Sequence, residues 1–190
     1  MSFFAILRIF LRVALLVLTV GVYCSATSIL ILVTPTQVFI AADSKETDSN
    51  EHAVGQTCKI HKKHGIYWAA AQIYRDPATG FDVEELVDRA AQKDGNISAK
   101  MKFLIDIAKA PLEKELTYLK DNNPQEYHKF VAGPDQQNPL QIVFMTFKDN
   151  APKVISAYFT ASDAQGPVVK SHVQMVPPGR FGGTRRPQGS

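Results

Sequence analysis

Two short apolar runs near the start of the chain, residues 28–33 and 38–42, constrain the fold more than any other feature of the sequence. The first is rich in β-branched residues, and Thr34-Pro35-Thr36 separates the two after too few residues for a helix. Apolar residues at successive positions over so short a length read as strands covered on both faces, and the tight connection makes them a hairpin. A second hairpin is predicted from Lys59-Ile60 and residues 66–71, turning at His64-Gly65. The stretch between them, residues 44–55, is polar and reads as loop.

Helical spacing begins after Gly80. Asp82 is placed to cap a helix with Glu85 three residues on, and Val83, Leu86, Val87 and Ala90 fall on one face. Glu84 and Glu85 are expected to favour that N-terminus electrostatically and to face solvent. A second helix is expected from Ser98, with Met101, Leu104, Ile105, Ala108 and Leu112 at helical spacings. Pro111 inside it predicts a kink or a break into two pieces. Strands return at residues 140–147 and 154–159, joined across Lys148-Asp149-Asn150, and again at 168–176. The order strands, two helices, strands predicts an α+β domain in which helices cover a sheet. From Pro177 onward Pro, Gly and Arg dominate, so residues 177–190 are expected to form an unpacked tail.

The first 26 residues have a different character. Arg8 and Arg12 precede a run, residues 13–22, that is almost wholly apolar, and Tyr23-Cys24-Ser25-Ala26 supplies small residues before a cut. That is the order of a signal peptide, residues 1–26, with a domain at 27–176 behind it and an exported location, periplasmic or extracellular. Because apolar residues resume at 29–33, the span 13–33 also reads as an uncleaved membrane anchor, which would leave Thr27 without a free amine. Loss of Arg8 and Arg12 takes the formal charge from +3 to about +1, which gives no electrostatic case for nucleic acid. Cys24 lies in the leader, so Cys58 has no partner for an internal disulfide and reads as a buried structural thiol. His61 and His64 flank Lys62 and Lys63, two cations that oppose a metal, and neither metal nor cofactor is expected. Asn96-Ile97-Ser98 fits a glycosylation sequon, meaningful only in a eukaryotic secretory pathway.

Cleavage after Ala26 would make Thr27 the new N-terminus, carrying a nucleophile and a base in one residue. Its α-amine has a reference pKa of about 7.7–8, near enough to neutrality to take the hydroxyl proton directly or through water. A lysine ammonium nearby would favour the neutral amine by like-charge repulsion, and burying that lysine calls for a carboxylate partner. The sequence offers both. Asp43 ends the second strand sixteen residues after Thr27, and Lys59 opens the third after sixteen more.

Thr27-Ser28 followed by an apolar strand, then Ala41-Ala42-Asp43-Ser44-Lys45 with Thr47, then Lys59-Ile60, resembles a proteasome β-type subunit of the N-terminal-nucleophile (Ntn) hydrolases. Thr27, Asp43 and Lys59 fall without gaps on that family's catalytic threonine, aspartate and lysine. Residues 66–71 are similar to the strand leading to its oxyanion loop. The resemblance is specific over residues 27–71 and extends by order of elements to about 176. It implies a four-layer αββα sandwich, here with the second outer helix layer incomplete, and a threonine-type peptidase or amidohydrolase needing no cofactor. Thr27 would be nucleophile and base, Lys59 and Asp43 would set the local field, and backbone N–H groups near Ala71 and Gln72 would face the oxyanion. Where Gln72 falls the family usually has glycine, allowing for a one-residue deletion. Expected partners are a peptide or amide substrate and further copies of the chain in a homo-oligomer. The alternatives are a non-catalytic assembly or binding subunit of the same fold and a membrane-anchored domain of other role.

Overall fold

The structure is a computed structural model that describes residues 29–42, 45–47, 53–56, 59–132, 136–148, 151–163, 166–179 and 181–183. It is a mixed α+β fold of antiparallel sheets and three helices. The first two apolar runs form β1 (Ile29–Val33) and β2 (Val38–Ala42), paired from Ile29–Ala42 to Val33–Val38. Thr34 closes the hairpin: its N–H donates to Gln37 O at 2.8 Å, and its Oγ1 accepts from Gln37 N at 2.9 Å.

β3 (Lys45–Thr47) and β4 (Ala53–Gln56) form a small antiparallel pair, so the polar stretch expected to be loop contains a hairpin. Backbone ladder bonds hold it, and these leave no apolar period in the sequence. β5 (Ile60–Lys63) and β6 (Ile66–Gln72) pair as expected across His64 and Gly65, whose φ values of 45° and 78° are those of a primed two-residue turn. A short pair, β7 (Arg75–Asp76) with β8 (Phe81–Asp82), then leads into α1 (Val83–Gln92). Asp82 caps this helix, accepting from Glu84 N at 2.8 Å and Glu85 N at 3.3 Å, while Val83, Leu86, Val87 and Ala90 are buried.

α2 (Ile97–Asn122) begins at an Asn96 cap and runs through Pro111 as one helix, so of the kink or break expected there the break does not occur. Ala108, Leu112 and Leu116 on either side of the proline are fully buried. At about 1.5–3 kcal/mol for each leucine side chain, that burial outweighs the roughly 3 kcal/mol cost of an interior proline. A third helix, α3 (Pro124–Val131), was not anticipated; Asn123 caps it, Pro124 opens it, and Tyr127 and Phe130 anchor it. β9 (Leu140–Lys148), β10 (Ala151–Ser162) and β11 (Val168–Met175) complete a five-stranded sheet ordered β11-β10-β9-β6-β5. Beyond it, β12 (Phe181–Gly183) pairs with β1, giving the three-stranded order β12-β1-β2. Part of the segment expected to be an unpacked tail is therefore held in a sheet. Here too the backbone ladder acts without an apolar pattern to announce it.

Three layers result. Ile66, Trp68 and Ala70 of β6 join Ile142, Phe144, Ala157 and Phe159 in a core under the helices. Ala69 and Ala71 face the other way, into a second core with Ile29, Ile31, Val33, Val143, Met145 and Val154. The alternation puts helices on one face of the five-stranded sheet and the small sheet on the other. Among the described residues no helix is long and apolar enough to cross a membrane. Leu112→Ala is expected to cost about 2–5 kcal/mol in urea unfolding. Leu30→Ala, at a side chain 54% exposed, should stay within about 0.5 kcal/mol of the parent.

Candidate active site

The direction of β1 decides which sequence-predicted residues share one end of the molecule. Val33, its last residue, accepts a hydrogen bond from Gly179 N at 2.8 Å. The preceding Pro177 and Pro178 line an open groove with His64, Gly65 and Pro152. Val33 thus lies toward the His64–Gly65 turn, and Ile29, with its partner Ala42, lies toward the opposite end. At that opposite end β6 finishes in Ala71 and Gln72. Lys59 stands one residue before the Ile60–Ala69 pair, level with Ala70. The N-terminal end of β1, the C-terminal end of β2, Lys59 and Ala71–Gln72 therefore gather at one end of the paired sheets. Thr27, Asp43 and Cys58 lie outside the described residues.

Lys59 is half-buried and engaged in an interaction. Ala71 is 2% exposed and packs in the core shared with Ile29 and Ala42. Gln72 is half-buried and takes φ 77°, in the left-handed region that glycine occupies without penalty. Glutamine thus stands in a backbone conformation suited to the glycine that the resemblance leads one to expect. After this kink the chain is clamped. Ile73 N donates to Pro139 O and Val83 N to Tyr74 O, both at 3.0 Å.

The Tyr74 side chain completes the clamp. Its hydroxyl donates to Glu84 Oε1 at 2.9 Å and lies 3.3 Å from His61 Nε2. The His61 ring stacks on Trp68 at 4.5 Å, and Tyr74 lies parallel to that indole at 6.3 Å. Burial, and then the hydrogen bond to Glu84, push the Tyr74 phenol well above its ordinary value. Arg75 holds Asp82 at 2.8 Å and Glu84 at 3.1 Å. Glu84, expected to face solvent, keeps 40% of its side chain exposed while accepting from both Tyr74 and Arg75. His61 and His64 are directed to different partners; His64 Nε2 meets Asp88 at 3.2 Å. Burial opposes ionisation of Asp88, but Lys63 and His64 outweigh it and hold the carboxyl below its usual range.

Sequence reasoning missed the Tyr74–Glu84 contact. The signal available was a polar Tyr-Arg-Asp step directly after an apolar strand, followed by a capped helix. The groove at the other end, about 680 Å³ and lined by Ile97, Phe147, Lys148 and Met175 among others, is remote from Lys59 and Gln72. No family model matches the chain, and no curated protein matches it.

Gln72→Gly should raise stability by about 1 kcal/mol by relieving the left-handed strain, whereas Gln72→Ala should bring no gain. Denaturation midpoints measure this, and a loss with glycine would contradict the backbone assignment.

Proposed function

We propose that this chain is an exported, proteasome-like N-terminal-threonine hydrolase acting on peptide or amide bonds. The observation that carries the reading is the convergence of the β1 start, the β2 end, Lys59 and Ala71–Gln72 at one end of the double sheet. Thr27 is two residues before Ile29 and Asp43 one residue after Ala42. The helix–sheet–sheet layering supports the fold side of the proposal, since a four-layer αββα sandwich contains that order of layers. The left-handed backbone at Gln72 fits a site where the family usually has glycine.

In this mechanism Thr27 Oγ attacks the substrate carbonyl carbon while its proton passes to the α-amine, directly or through water. The tetrahedral oxyanion is held by backbone N–H groups at Ala71 and Gln72. Its collapse breaks the C–N bond, and the departing amine takes the proton back from the Thr27 ammonium. Water then attacks the ester, the α-amine again accepting and returning a proton, and Thr27 is regenerated. Lys59 keeps the amine neutral by like-charge repulsion, and Asp43 balances Lys59.

A second reading, a non-catalytic assembly or binding subunit of the same fold, is favoured by one observation. Among the described residues the outer face of the small sheet is apolar and exposed, with Leu30 54% and Phe39 55% accessible.

Hydrolysis of fluorogenic peptide amides by the exported protein tests the first reading. Thr27→Ala and Lys59→Ala should each lower kcat/KM by about 10²–10⁴-fold. In the parent, kcat/KM should fall as pH drops through the α-amine pKa, because the ammonium cannot accept the hydroxyl proton. An inactive parent that begins at Thr27 would favour the subunit reading.

A further inference from the structure

β11 forms one edge of the five-stranded sheet, paired with β10 alone in a continuous register from Val168 to Met175. The direction of its backbone groups is fixed at both ends. Val169 N–H points away from β10, donating to Glu113 Oε1 at 3.2 Å. Val176 N–H points the other way, donating to Val154 O at 3.0 Å. Successive residues of a strand turn their N–H and C=O to opposite sides, so Ser171, Val173 and Met175 point outward with Val169. Among the described residues those three N–H groups have no acceptor.

Such an edge is a template for another strand, and folded proteins usually blunt it with a lysine, a proline or a bulge. From Ser171 to Met175 β11 carries none of these. Its helix-side face is apolar there as well. Val169, Val173 and Met175 pair with Ala161, Ala157 and Ile155, which belong to the core under the helices. Val169 is buried in that core, but Val173 is 50% and Met175 52% exposed.

We propose that this edge is a self-association surface, on which β11 of a second copy pairs antiparallel about a two-fold axis at Val173. In that register Val173 faces Val173 of the second copy, and Ser171 faces its Met175. Residues with outward groups then meet residues with outward groups, so all three free donors of each copy find a carbonyl. The ends of the stretch match in the same register, because Val169 falls opposite Pro177 of the second copy. Val169 N–H is already given to Glu113 and Pro177 has none to give, so the ends leave no orphaned donor. An unrelated strand would have no reason to match both limits. Charge agrees too: Lys170 meets Val176 and His172 meets Gln174, so no like charges oppose each other. The pairing is isologous and joins two five-stranded sheets into one continuous sheet. It stands whether or not Thr27 is a nucleophile.

The paired span is short beside a standard interface, so the dimer is weak and concentration-dependent. Sedimentation velocity of the purified protein, from about 10 µM to about 1 mM, reads it directly. The parent should pass from monomer to dimer over that range. Val173→Pro removes an outward N–H and spares the β10 ladder, and should weaken association by about tenfold or more. Val173→Lys places two ammonium groups against each other at the axis; it should weaken association similarly, and added salt should partly restore it. Phe39→Asp, on the small sheet, should associate as the parent does, which separates this edge from that face. Far-UV circular dichroism checks that each variant is folded. A parent that stays monomeric up to about 1 mM, or a folded Val173→Lys that associates like the parent, would overturn the pairing.

Discussion

Burial of β6 on both faces is the constraint on which the rest of the structure depends. The strand is interior to its sheet, pairing with the edge strand β5 on one side and the central β9 on the other. Its even-numbered residues Ile66, Trp68 and Ala70 support the helices, and Ala69 and Ala71 support the small sheet. The alternation of a large indole with small methyl groups sets the layer order: bulk fills the space below three helices, and small side chains let β1 approach. A one-residue slip of β6 would exchange these faces and place Trp68 between the sheets, so its register is strongly specified.

From that strand the candidate site follows by topology. Because β1 lies on the Ala69–Ala71 face and points its Ile29 end toward Gln72, the segments flanking Thr27 and Asp43 come toward the strand end that carries Lys59 and Gln72. The Tyr74 clamp then fixes the chain beyond the left-handed kink. Positioning of this kind comes from packed elements rather than from loops, which is what chemistry by a preorganised nucleophile requires. The proposed hydrolase draws its support from that shared end, and the exposed apolar side chains of Leu30 and Phe39 supply the case for association.

Much of the framework was legible in the sequence because apolar periodicity carried it. β1, β2, β5, β6 and α1 reported themselves through runs, turns and a cap, and His64-Gly65 marked its hairpin. What escaped notice had no apolar period. The β3–β4 hairpin and β12 are held by backbone bonds, and α3 is only eight residues long. At Pro111 the sequence showed the local cost that could break the helix, but not the burial of Leu112 and Leu116 that keeps it in one piece. At the site, Lys59, Ala71 and Gln72 were named from spacing and resemblance, while Tyr74–Glu84 and Thr79–Glu115 were not. The latter pair is 36 residues apart in sequence, and contacts between single polar residues at such separation leave no pattern to read.

The central claim is that the working chain begins at Thr27. Amino-terminal sequencing, with the intact mass of the protein recovered from the exported fraction, measures it directly. The account predicts one species starting Thr27-Ser28-Ile29, with residues 1–26 removed. A chain that retains its leader, or one that starts at any other residue, would contradict it.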